Sequence, residues 1–272
     1  MTLDSIEPLI RNVALIGFAL ASVLYLFSVQ QTAKVLWPAR GAFLSFTAAT
    51  LAITSAAALQ LQDAQPLELS ALLLSAAIGW LTVIGHLKFN MRLIGAFVAP
   101  LATLILMMQF FITPGHQTVP ENSTSALLVD FHVVMAILGQ AFAIIACAVS
   151  VFYLWQQNLL KKKRLSQLAQ NLPAIDRIDR LLRISLWTGF ILITVGLLSG
   201  AIYTQLYAPP ETMRLSAKVI WATAVWLWYL ATLLAKNVFG RSSKRIAQMC
   251  LAGFILLAFS YFGMGFLRSG GP

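Results

Sequence analysis

Residues 126–154, ALLVDFHVVMAILGQAFAIIACAVSVFYL, form a long apolar run that carries one carboxylate, Asp130, and one imidazole, His132, near its start. Inside hydrocarbon every backbone amide must be paired, and a run this long can do so within itself only as an α-helix. It therefore reads as a membrane-spanning helix. Seven further runs share its character, at 13–29, 42–61, 69–87, 93–112, 184–203, 216–234 and 246–267. The chain of 272 residues is accordingly expected to be an all-α polytopic integral membrane protein, with about eight transmembrane helices in one bundle and a single transmembrane domain over 1–272.

Composition agrees with that reading. Apolar residues make up 59% of the chain and charged ones 10%, against about a quarter charged in a soluble domain. The mean hydropathy of +0.81 is spread over the whole length, which excludes a soluble enzyme on a single anchor. The long runs also exclude an outer-membrane barrel, whose strands alternate over about ten residues. The opening, MTLDSIEPLIRN, has neither a basic leading region nor a small-residue cleavage site, so the first run is expected to be a retained helix and not a signal peptide.

The net charge of +10 is explained by topology, without nucleic acid. Lys34, Arg40, Lys88, Arg92, Lys161 to Arg164, Arg177, Arg180, Arg183, Lys236, Arg241, Lys244 and Arg245 all fall between an odd run and the even run after it. That places 15 of the 19 basic residues on one side. By the positive-inside rule both termini face away from the cytoplasm, periplasmic in a bacterial inner membrane. In the longest connection Ile175, Ile178, Leu181 and Leu182 fall at helical spacing. That stretch either lies along the inner membrane surface or is a snorkelling helix start. Two outer connections, 113–125 and 205–216, are Pro-rich.

No Walker loop, GxGxxG, GxSxG or HExxH pattern occurs, so the chain is not expected to be an enzyme. Cys147 and Cys250 sit inside apolar runs without CxxC spacing and read as small buried residues. The remaining chemistry lies with three histidines. His86 is near the end of the third run, His116 is in an outer connection, and His132 is about two turns into the fifth run, about 10 Å below its start at 1.5 Å per residue. An ionisable group at that depth needs a partner inside the protein. It reads either as a metal ligand or as a hydrogen-bonded packing residue. Asp130 is two residues away and points elsewhere on a helix. Trp221, Trp226, Trp228 and Tyr229 crowd the seventh run, where the rings either stack on a flat ligand or pack against helices. The glycines of GLLSG, 196–200, and of GMG, 263–265, read as close helix crossings.

The run FHVVMAILGQAFAIIACAVSVFYLWQQNLLKKK resembles the signature segment of the cytochrome c assembly membrane family, the haem-handling CcsA/CcmC type. The similarity continues through LPAIDRIDRLLRISLWTGFILITVGLLSGAIY and LSAKVIWATAVWLWYLATLLAKNVFGRSSKRIA and covers roughly 126–270. Eight helices with compact loops point to the smaller HemX-like and YpjD-like branch. The chain departs from larger members by having QLYAPPETMRLS where they carry a Trp-rich WGxxWxWD motif, and by lacking a histidine after the seventh helix.

The resemblance implies an inner-membrane haem-binding or haem-delivery accessory role in cytochrome c biogenesis. His132 is then an axial ligand to haem iron in a slot lined by the fifth, sixth and seventh helices. His116 is the candidate second ligand from the same side, and Trp221 and Trp226 are candidate stacking residues. The implied partners are the lipid bilayer, haem and other membrane proteins of cytochrome maturation. The competing readings are a membrane scaffold or regulatory subunit that has lost the haem site, and a small-molecule transporter. The last is weakened by the scarcity of midplane charges and of matched broken helices.

Overall fold

The computed structural model describes residues 3–30, 37–60, 66–89, 94–108, 123–161, 175–207 and 217–269. Among the described residues eight helices run in the order α1 (Leu3–Gln30), α2 (Trp37–Gln60), α3 (Pro66–Phe89), α4 (Ile94–Met108), α5 (Ser123–Lys161), α6 (Ile175–Tyr207), α7 (Ala217–Asn237) and α8 (Ser243–Ser269). Among the described residues there is no strand, and six helices are long and apolar enough to cross a membrane. The chain is thus an all-helical, polytopic membrane protein. Apart from α4, each helix reaches beyond its apolar stretch at one end or both. At 39 residues α5 is about 58 Å long, roughly twice a hydrocarbon core, so part of it extends beyond a bilayer.

Contacts divide the chain into two compact units, one of residues 1–117 with 155–177 and one of residues 118–154 with 178–272. In the first unit α1 packs along α2 and α4, and α3 packs on α2 and α4. Its centre is aromatic: Phe18 and Tyr25 of α1, two turns apart, both meet Phe46 of α2 edge-on, at 5.1 and 6.3 Å. Small residues let α1 and α2 approach, with Gly17 against Ala49 and the Ser45 hydroxyl donating to the Gly17 carbonyl at 2.8 Å.

In the second unit α7 and α8 form a tight hairpin. Gly240 takes the left-handed conformation (φ 56°), and Arg241 N–H returns to the Ala235 carbonyl at 2.9 Å, which closes the end of α7 around a glycine. The Ser242 carbonyl then accepts the Arg245 and Ile246 amides at 2.9 and 3.2 Å to start α8. Two tryptophans tie the pair together through their indole N–H groups. Trp221 donates to the Leu256 carbonyl and Trp228 to the Met249 carbonyl, both at 2.9 Å.

Residues 175–183 are the first turns of α6 and not a separate surface element. Ile178, Leu181 and Leu182 are buried there. Between them Asp179 accepts the Lys236 ammonium of α7 at 3.0 and 3.3 Å, and Lys236 also donates to Ser243 Oγ of α8 at 2.7 Å. One cation therefore joins three helices. The two charged side chains are only 20% and 17% exposed, so the pair is screened less than a surface bridge. Lys236→Met is expected to lower stability by about 1–2 kcal/mol, because Asp179 keeps only Arg183, at 3.2 Å, as its charged partner. Unfolding in detergent checks this, with Asp179→Asn completing a double-mutant cycle whose coupling has the same sign.

Candidate functional site

Within the second unit, His132, Ala136 and Gln140 stand one turn apart on the same face of α5, spanning about 12 Å. They form one wall of a cavity of about 230 Å³. Ile193, Gly196 and Leu197 of α6, Ala222 and Val225 of α7, and Leu257 of α8 form the others. The slot thus has four walls where the sequence suggests three. Its lining is apolar apart from His132 and Gln140.

The His132 ring is held from one side. Its Nδ1 lies 2.6 Å from the Gly196 carbonyl oxygen. A carbonyl can only accept, so Nδ1 carries the proton and donates it, and in the neutral ring Nε2 is left with its lone pair. A carbonyl that fixes the tautomer in this way is the usual support behind a metal-ligating imidazole. The ring lies against Gly200, where a Cβ would come within 2.8 Å of both Nδ1 and Cε1. Glycine is required there for the imidazole to fit. Asp130 is exposed and is not the group that orients the ring.

Trp226 donates from Nε1 to Thr194 Oγ1 at 2.8 Å and stacks on Phe190 at 5.6 Å. Trp221 is bonded to α8 and tilted against Phe259 at 5.1 Å. Neither ring is among the residues lining the cavity. His116 lies outside the described residues. In the first unit His86 stacks on Phe43 at 4.2 Å. Cys147 and Cys250 are free, buried thiols. Among the described residues no group of three or more His, Cys, Asp or Glu side chains gathers, so a metal held wholly by such protein ligands has no cage there. Reading the sequence alone misses Gln140 as a second polar residue on the cavity, and Gly196, Ser199 and Gly200 as the groups around the His132 seat. Gln140 is visible in retrospect as the residue two turns from His132 on one helix face.

Residues 64–271 match the model of a protein family described as cytochrome C assembly protein. This chain belongs to that family. The matched stretch takes in all four walls of the cavity, the His132 seat and the Asp179–Lys236 ion pair of α6 and α7. A cytochrome c biogenesis protein CcsA from Guillardia theta is 25% identical over 203 residues, 67% of this chain and 66% of that protein. The chain thus spans just under two thirds of that relative's length. A protein of the same name from Prochlorococcus marinus strain MIT 9301 is 25% identical over 219 residues, 71% of each chain. Another, from Prochlorococcus marinus strain NATL1A, reaches 34% identity over 95 residues, 35% of this chain and 30% of that protein.

Proposed function

We propose that this protein is an inner-membrane haem-binding or haem-delivery accessory protein of cytochrome c biogenesis, without turnover of its own, and that His132 offers Nε2 to haem iron as an axial ligand. One observation carries the reading: the imidazole borders a cavity while its other nitrogen is committed to the Gly196 carbonyl at 2.6 Å. Family membership and the names of the relatives support it. Haem, when bound, supplies an iron that accepts one or two axial nitrogens. This chain's residues do the rest. Gly196 sets the tautomer, Gly200 leaves room for the ring, and mostly apolar side chains line the cavity around it. At about 230 Å³ the cavity is smaller than the roughly 300–1,000 Å³ of clefts that enclose a drug-sized ligand. A tetrapyrrole therefore requires the helices to part, or projects from between them.

The absorption spectrum of the purified protein, oxidised and reduced, with and without added haemin, tests the proposal. A Soret band with sharpened visible bands on reduction is expected. A preparation that stays colourless with haemin overturns it and leaves the scaffold in front, a reading favoured by the single histidine on the cavity among the described residues. His116 is the second ligand in this proposal, and His116→Ala should change the spin state of the bound iron. Both termini face the periplasm in the same proposal. A cysteine engineered at 117–124 should be labelled from outside and one at 165–172 should not, and the reverse pattern overturns the orientation.

A further inference from the structure

The Gly196 carbonyl is asked to serve more donors than it has lone pairs. The helix itself directs the Gly200 N–H at it, the His132 Nδ1–H reaches it at 2.6 Å, and the Ser199 hydroxyl donates to it at 2.8 Å. Ser199 is 5% exposed and Gly196 is buried, so water does not relieve the competition. Back-bonds of this kind are common on these helices, as at Ser22 to the Phe18 carbonyl and Ser150 to the Ala146 carbonyl. At Gly196 the same carbonyl also holds the imidazole. Each donor withdraws density from the oxygen and competes for its two lone pairs, so the bonds sharing it weaken one another.

We propose that Ser199 is a positioning residue that sets the strength of the His132–Gly196 hydrogen bond and, through it, the donor strength of Nε2. The second half rests on the reading of His132 as an axial ligand; the first does not. A full bond from Nδ1–H to an unshared carbonyl pushes electron density into the ring and makes Nε2 a better donor to an electron-poor metal. With Ser199 in place that push is tempered. The oxidised form of a bound iron is then favoured less than it would be without the hydroxyl, and the reduction potential is held higher. No other titratable side chain lines the cavity among the described residues, so Ser199 acts on the ring without a charged competitor nearby.

The test uses the full-length protein in detergent with Ser199→Ala and Ser199→Thr. In the metal-free protein, the Nδ1–H proton resonance of His132, with ¹⁵N-labelled histidine, should move downfield in Ser199→Ala and return toward wild type in Ser199→Thr, which restores a hydroxyl. An unmoved resonance in Ser199→Ala overturns the proposal. With haemin as the probe, the midpoint potential should be lower in Ser199→Ala than in wild type. Equal potentials overturn the coupling to Nε2 even if the resonance moves. If the resonance moves and haemin binds neither protein, the hydrogen-bond assignment stands and the haem reading is what fails.

Discussion

Gly200→Ala is expected to empty the seat of His132 while leaving the bundle folded. The added Cβ would stand 2.8 Å from Nδ1 and Cε1 of the ring and 3.5 Å from Nε2. Two of these separations are shorter than carbon and nitrogen tolerate, and the ring is the far end of a side chain, so it yields by turning about its own bonds. The turn breaks the 2.6 Å bond to Gly196 and releases the tautomer. Fold stability changes little, because losing one hydrogen bond of about 1 kcal/mol is offset by replacing glycine with alanine inside a helix, also about 1 kcal/mol. Haemin affinity should fall tenfold or more, equivalent to at least about 1.4 kcal/mol. His132→Ala should remove the Soret band altogether. Spectral titration with haemin reads both variants, and circular dichroism reports the helices. Wild-type affinity and spectrum in Gly200→Ala would falsify the seat described for His132.

The helices were legible in the sequence because hydrocarbon selects for apolar length: each apolar run falls on one helix, and six of these are long and apolar enough to cross a membrane among the described residues. Their ends were not. Hydropathy sees the part of a helix inside the bilayer, whereas backbone pairing continues as far as the residues allow. Thus α1 begins at Leu3, ten residues before its apolar run, and α6 begins at Ile175, nine before its own. The stretch before residue 184 reads either as a surface element or as a helix start, because its charges alternate with its apolar residues, and the second reading is the one α6 follows. Asp179 faces Lys236, 57 positions away, and no local pattern announces that pair. The same division holds at the candidate site. An imidazole at membrane depth is conspicuous in any sequence, and His132 could be singled out from it. Its partner is a backbone carbonyl, a group every residue carries, so only the α5–α6 crossing identifies Gly196. The glycines of GLLSG read as a packing feature, and packing is what brings them to His132. The stretch therefore serves the crossing and the seat together.

That crossing also sets where the second unit is most vulnerable. Between helices in lipid there is little hydrophobic drive, and association depends on close van der Waals fit. At Gly139 of α5 a Cβ would fall 2.6 Å from Ile193 Cγ1, 2.9 Å from the Ile193 backbone nitrogen and 3.3 Å from the Gly189 carbonyl oxygen. A side chain can rotate away, but a backbone nitrogen cannot, so α5 and α6 must separate. Gly139→Ala is therefore expected to cost about 2–3 kcal/mol, at the upper end of what overpacking usually does, despite the better helix propensity of alanine. Adding Ile193→Ala removes the Cγ1 contact and leaves the backbone one, so the double variant should recover only part of the loss. Gly85 in α3 is the control: a Cβ there meets nothing within 4 Å, and Gly85→Ala should be neutral or stabilising by up to about 1 kcal/mol. Denaturation in mixed detergent micelles measures all three. Full recovery in the double variant would mean that the Ile193 side chain alone sets the spacing, and equal effects at Gly139 and Gly85 would mean that α5 and α6 are not in close contact there.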